Sequence, residues 1–166
     1  MARPPVAKKR IRDMDFDTLA SVNREVVALT GERHEFSAAD GRKLESLVKE
    51  VAQRADNQEY EEALAEKASL LVYDVARGQY FHAGNKRTAL VSALAFLAKN
   101  GHALDVENAE LVSIVDRAGI AAADLDDIYA IVKRLIVKAK TERRGWDRVV
   151  KESVEKHRNF LKDLAS

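Results

Sequence analysis

The segment from Asn85 to Lys99 constrains the fold of this chain more than any other. Its apolar residues, which would cover more than half of the circumference of a helix, are Ala89, Leu90, Ala93, Leu94, Phe96 and Leu97. A helix that is apolar on most sides is normally buried by several neighbours. Asn100 and Gly101, which follow it, have the chemistry of a helix C-terminus. The sequence therefore predicts a central helix with other elements packed around it.

Amphipathic stretches on both sides predict the helices that surround this one. Apolar residues recur at helical spacing after Asp17, which is expected to cap a helix ending at Gly31, and after Ser37, which is expected to cap a second. A short hairpin near residues 31–36 is compatible with the sequence, but no strand is required. Further helices are predicted over about 59–77, 107–117 and 125–140, the last capped by Asp124, and a final amphipathic segment follows Gly145.

The composition fits a single helical domain. Of the 166 residues, 46% are hydrophobic and 33% charged, with only seven glycines and two prolines. The net charge of +1 argues against a general nucleic-acid-binding surface. The chain contains no cysteine, which excludes disulfides and thiolate metal sites. No apolar run approaches the roughly 18 residues of a membrane span, and a cytoplasmic protein is expected.

Three regions are predicted along the chain. Residues 1–14 are basic and are expected to form a flexible arm, either a solvated tail or a nucleic-acid contact. Residues 15–140 form the domain. Residues 141–166 form a C-terminal amphipathic helix, which packs either on its own domain or on a partner.

The residues that open the central helix carry the clearest chemical signal. The first N–H groups of a helix have no internal partner, and the helix dipole makes that end positive. Gly84 has no side chain to keep an anion from these groups, and Lys86 and Arg87 add two cations. Cations there oppose the dipole at a cost of roughly 0.3–1 kcal/mol each. The pattern indicates a phosphate site, the alternative being a helix start with solvated basic residues.

The run Phe81-x-x-Gly84-Asn85-Lys86-Arg87 resembles the signature of the Fic/Doc family, usually written H-x-F-x-[D/E]-[G/A]-N-[G/K]-R. The Asn-Lys-Arg-Thr form is similar to that of the Doc branch. Similarity extends over roughly residues 15–137 and includes the helix that leads into the motif, the end of the central helix and the region of the family's substrate-docking flap.

The resemblance implies a fold and an activity. The expected fold is an all-α Fic/Doc-like bundle of six to eight helices around the buried central helix. The family transfers AMP or phosphate to protein hydroxyls, and ATP or a related nucleotide is the expected ligand. By this resemblance Gly84, Asn85, Lys86 and Arg87 bind its phosphates.

Two family residues are replaced in this sequence. Gln79 stands at the position of the catalytic histidine, and an amide cannot act as a general base, whose loss typically reduces rates about 10²–10⁴-fold. Ala83 stands at the acidic position that places magnesium, so the need for magnesium is left open. His82 is a candidate substitute for the base, its alternative being an exposed or structural imidazole. No metal ligand is predicted.

Two functions remain open at the level of sequence, and whether the chain is an enzyme is undecided. The first is a nucleotide-binding relative of AMP- or phosphate-transferases with impaired or altered catalysis, acting on a protein target. The second is a catalytically silent binding module, or a regulator in a toxin–antitoxin-like pair with an antitoxin-like partner chain.

Overall fold

The fold is known from a computed structural model that describes residues 10–55, 57–120, 123–141 and 143–164. Across these ranges the chain forms eight helices and two short strands. The elements are α1 (Phe16–Ala28), α2 (Ala38–Gln53), α3 (Tyr60–Gly78), α4 (Asn85–Lys99), β1 (His102–Leu104), α5 (Asn108–Gly119), α6 (Leu125–Leu135), β2 (Ile136–Lys138), α7 (Trp146–Lys156) and α8 (Arg158–Asp163).

Helix α4 is the centre of the bundle. It packs against α3 most extensively and also against α1, α5 and α7. Leu90, Phe96 and Leu97 are fully buried in it. The bounds of α4 are those that its apolar pattern predicts, and the all-α bundle around a buried central helix is confirmed.

The first helix begins earlier than predicted. Its N-cap is Asp15, whose carboxylate accepts the N–H of Thr18 at 2.8 Å, whereas Asp17 lies inside the first turn. The predicted end at Gly31 is also corrected, because α1 ends at Ala28 and the chain turns before the glycine. Ser37 and Asp124 cap their helices as predicted.

The two strands were not predicted. They pair antiparallel, with His102 opposite Lys138, and they shorten the helix predicted over 125–140, which ends at Leu135. Gly101 adopts a left-handed φ of 74°, and this turn lets the chain leave α4 and form the pairing. Residues 31–36 contain no strand, so the hairpin considered there does not form.

Both ends of the described chain are held against the bundle. Residues 1–9 of the predicted flexible arm lie outside the described residues, but residues 10–14 are anchored: Asp13 forms an ion pair with buried Lys67 at 2.8 Å, and Met14 is buried. The predicted single C-terminal helix is two helices, and α7 packs on α1 and α4 of its own domain. In the described part of the chain, no helix has the length and apolar character needed to cross a membrane.

Candidate functional site

The turn into α4 leaves its N-terminus without a side-chain cap. Gly84 is the N-cap and adopts a left-handed φ of 75°. A Cβ at this position would lie 2.8 Å from Cγ1 of Val27, so both the backbone and the packing require glycine. The first hydrogen bond of the helix runs from the N–H of Thr88 to the carbonyl of Gly84, at 2.8 Å. The N–H groups before it have no helical partner and form the positive end of the helix dipole.

Asn85 closes the loop that precedes the helix. Its Oδ1 accepts the N–H of Phe81 at 3.0 Å, and its Nδ2 donates to the carbonyl of Phe81 at 2.9 Å. The side chain is buried, so these two bonds satisfy two backbone groups that water does not reach. In the structure the Asn85 amide shapes the loop, and phosphate binding by Asn85 stays a prediction.

Arg87 is buried beneath the segment that follows α1. Its NH1 group donates to Glu32 Oε1 at 2.8 Å and to Thr30 Oγ1 at 3.1 Å, and its Nε donates to the carbonyl of Leu164 at 3.1 Å. The side chain of Arg87 is only 6% exposed, whereas that of Glu32 is 35% exposed. Hydrogen bonds from Thr30 and Arg87 lower the pKa of Glu32, so it is a carboxylate at neutral pH.

Lys86 has a carboxylate partner of its own. Its Nζ lies 3.0 Å from Oδ1 of Asp116 on α5, and both side chains are partly exposed. The two cations in the first turn of α4 are thus each paired with an acid from another element. This pairing offsets the unfavourable interaction of the cations with the helix dipole.

Residues 30–36, here called the covering segment, place alternate side chains against the motif. Thr30 and Glu32 contact Arg87, and the ring centroid of Phe36 lies 5.7 Å from that of Phe81. Between them, His34 has its ring centroid 6.2 Å from that of Phe81. The carbonyl of the intervening residue, Glu35, accepts a hydrogen bond from the loop, so the segment is tied to the motif by backbone as well as side chains.

Asn23 of α1 joins the covering segment to the loop and the helix. It is fully buried, and its Nδ2 donates to the carbonyl of Ala83 at 2.8 Å and to Thr88 Oγ1 at 3.0 Å. Its Oδ1 lies 2.8 Å from Nδ1 of His34. Sequence reasoning missed Asn23, Glu32 and His34, because the polar residues of the covering segment are consecutive and nothing in their order shows which ones face the motif.

Comparison with known proteins places these features in a family. A family model described as the Fic/DOC family matches residues 9–97, which include α1, the covering segment, the loop and most of α4. The chain belongs to the Fic/DOC family. The search of curated proteins and the search of solved structures each returned no match.

Gln79, which is predicted to stand at the family's histidine position, is turned away from the loop. Gln79 is the C-cap of α3 in a left-handed conformation, with φ 50° and ψ 43°. Its Nε2 donates to the carbonyl of Ala76 at 3.1 Å, so the amide folds back on the end of its own helix. In this conformation the side-chain nitrogen of Gln79 is engaged with the end of α3.

Ala83, which is predicted to stand at the family's acidic position, does not fit magnesium. Ala83 is buried, its side chain carries no oxygen, and its carbonyl accepts a hydrogen bond from Asn23. No group of three His, Cys, Asp or Glu side chains is placed to hold a metal ion among the residues that the structure describes. Magnesium prefers oxygen ligands in octahedral geometry, which a methyl group cannot supply.

His82 lies at the surface of the same loop. Its backbone N–H donates to the carbonyl of Glu35 at 2.8 Å, and its side chain is exposed. The ring is therefore on the solvent side of the loop. The loop's buried face is lined by Phe81 and Ala83, and a role for His82 as a substitute base stays a prediction.

Proposed function

We propose that this chain binds a nucleoside triphosphate such as ATP at the N-terminus of α4 and transfers AMP or phosphate from it to a protein hydroxyl. The observation that carries the proposal is the uncapped helix start, at which Lys86 and Arg87 are each held by a carboxylate from another element. Phosphate oxygens are chemically equivalent replacements for those carboxylates. Membership of the Fic/DOC family supports the reaction class.

The groups differ in what they contribute to phosphate binding. The free N–H groups at the start of α4 and the Lys86 ammonium face a phosphate directly. Arg87 contributes once its NH1 exchanges Glu32 for a phosphate oxygen. Asn85 contributes by holding the loop that Gly84 opens. Because no carboxylate stands at Ala83, binding is expected to depend little on magnesium.

Calorimetric titration with ATP, with and without magnesium, tests this proposal. Lys86→Met should weaken binding by roughly tenfold, which is about 1.4 kcal/mol. The matched control is Lys133→Met, because Lys133 also pairs with an acid at 3.1 Å (Glu62) but lies on α6. Equal affinities in both variants, or no binding by the unmodified protein, would exclude the site at α4.

A catalytically silent binding module is the second candidate, and the contacts of Gln79 and Ala83 favour it. Gln79 caps α3, and Ala83 supplies no metal ligand. Restoring both by Gln79→His and Ala83→Asp separates the candidates. A transferase that has lost its usual base and acid should gain turnover, whereas a silent module should bind a protein partner equally well before and after the change.

The proposal also includes the compartment and the partners of the protein. We place it in the cytoplasm, where ATP is present. Its partners would be a protein that carries the acceptor hydroxyl or an antitoxin-like chain that restrains it. Size-exclusion chromatography with light scattering, with and without a candidate chain, measures either association directly.

A further inference from the structure

His34 is held in the arrangement that a general base requires. The orientation of Asn23 follows from its partners: the carbonyl of Ala83 can only accept a hydrogen bond, so the Asn23 atom facing it is the amide nitrogen. The amide oxygen then faces His34 Nδ1, at 2.8 Å. An amide oxygen also only accepts, so Nδ1 of His34 carries a hydrogen. In the neutral ring Nε2 is therefore the unprotonated nitrogen.

The lone pair on Nε2 is available for proton transfer. Among the described residues, the only polar partner of the His34 ring is Asn23, on the Nδ1 side. The ring is only partly buried, and it packs between Phe36 and Phe81, with centroids 5.8 and 6.2 Å away. Two aromatic neighbours and one oriented hydrogen bond restrict how the imidazole can turn, which is how a catalytic histidine is normally positioned.

The surroundings keep this imidazole neutral. Burial lowers the pKa of His34, and the positive charge of Arg24 on α1 lowers it further. The other nearby charged or titratable groups are the Arg33–Glu35 ion pair of the covering segment, at 3.5 Å, and exposed His82 of the loop. His34 is therefore mostly the free base at neutral pH, as a proton acceptor must be.

The His34 ring also lies against the loop that leads into α4. Asn23 connects it to the carbonyl of Ala83 and to Thr88 in the first turn of α4, while Phe81 of the same loop packs on its face. Gln79, which occupies the family's base position, begins this loop but points back to α3. An imidazole thus lies beside the loop that leads into α4, and it is supplied by the covering segment and not by the motif.

We propose that His34 is the general base of this protein. The inference rests on the proposed function. A substrate hydroxyl gives its proton to Nε2 of His34, and its oxygen forms a bond to one phosphorus of the bound nucleoside triphosphate. The bond from that phosphorus to the bridging oxygen of the next phosphate breaks, and the leaving phosphate group keeps the electron pair. Asn23 is the positioning residue that holds Nδ1–H.

Label transfer from ATP tests this assignment. ATP labelled at the α- or the γ-phosphate is incubated with the full chain. The measured turnover is the label released by hydrolysis together with the label attached to hydroxyls of the chain itself. His34→Gln is expected to reduce this turnover by roughly 10²-fold or more while ATP affinity by calorimetry stays the same. The matched control is His157→Gln, since burial also lowers the pKa of His157 but it lies between α7 and α8.

The pH profile gives a second readout that does not depend on the stability of a His34 variant. Turnover should fall as pH drops through the pKa of His34. Arg24→Gln, at an exposed position, should raise that pKa and move the acid limb to higher pH. Nitrogen-detected NMR of the ring should show hydrogen on Nδ1 and not on Nε2 at neutral pH.

The outcomes separate this inference from the function on which it rests. No ATP binding by the unmodified chain overturns both. ATP binding with no turnover at any pH, or with equal turnover in the His34→Gln protein, overturns the base assignment and leaves the nucleotide site standing. An Nε2–H tautomer, or an acid limb that does not move in the Arg24→Gln protein, likewise overturns it.

Discussion

A buried asparagine amide fixes the chain at each of the two ends of α4, but the charges beside the two amides differ. At the N-terminal end, Asn85 accepts from the N–H and donates to the C=O of a single residue, Phe81. At the C-terminal end, Asn100 does the same with Arg12, at 2.8 and 3.0 Å, and also donates to Phe96. In both places a buried amide fixes a chain segment that has no regular structure of its own.

The charges near these amides differ. Lys99 lies in the last turn, where the dipole favours a cation, and its Nζ donates to the carbonyl of Arg144. Lys86 and Arg87 lie in the first turn, where the dipole disfavours them, and each needs an acid from elsewhere, Asp116 or Glu32. The C-terminal end is therefore stabilised as it stands. The N-terminal end holds cations that an anionic ligand would satisfy equally well.

The largest expected effect compares the two amides. Asn85→Ala leaves the buried N–H and C=O of Phe81 unpaired, at about 1–3 kcal/mol per group, so it should lower the free energy of unfolding by about 2–4 kcal/mol. Asn100→Ala leaves the partly buried N–H and C=O of Arg12 unpaired and should therefore cost less. Urea denaturation measures this. Only Asn85→Ala should also weaken ATP binding. Exposed Asn108, changed to alanine, is the control and should stay within about 0.5 kcal/mol of the unmodified protein.

The next effect compares the two glycines that flank α4. Alanine at a left-handed position costs on the order of 1–3 kcal/mol, and both Gly84 and Gly101 have such a φ. At Gly84 the new Cβ would also meet buried Val27 at 2.8 Å, whereas at Gly101 it would meet the hydroxyl of exposed Thr141, which can rotate away. Gly84→Ala should therefore destabilise more than Gly101→Ala in urea melts. An equal loss would show that Val27 moves aside freely.

A smaller effect concerns the acid that covers Arg87. Glu32→Gln removes a negative charge from the proposed phosphate site and should raise ATP affinity by roughly tenfold, about 1.4 kcal/mol, in calorimetric titration. Glu35→Gln is the matched control, because Glu35 lies in the same covering segment but pairs with Arg33 at 3.5 Å. A similar gain in both variants would indicate a general charge effect rather than competition for Arg87.

The smallest effect is the pH dependence of stability at the N-terminal end. The pKa of His34 is lowered from its ordinary value of 6.5, so the unfolded chain binds more protons than the folded one as pH falls through that range. The stability that neutral His34 contributes is therefore complete above pH 6.5 and is lost as pH falls toward the folded pKa. Melting temperatures between pH 8 and 5 should decline less steeply in the His34→Gln protein. An unchanged slope would contradict the lowered pKa.

Local patterns in the sequence predicted much of the helical frame. The bounds of α4 and the caps Ser37 and Asp124 depend on residue periodicity and on contacts three residues apart. The cap of α1 was misplaced by two residues, because Asp15 and not Asp17 accepts the N–H three residues further on. The pairing of β1 with β2 joins segments more than 30 residues apart, which periodicity does not report.

The sequence by itself determined the family and the central helix, since these depend on local runs of residues, and the replacement of the family's base and acid by Gln79 and Ala83 stays a prediction from one such run. Tertiary structure decided what surrounds that run. Asn23 and Glu32 lie 55 to 65 residues before the motif groups to which they hydrogen-bond. His34 is linked to the motif through its bond to Asn23. Such contacts exist only because α1 packs on α4, and no local pattern of residues specifies them.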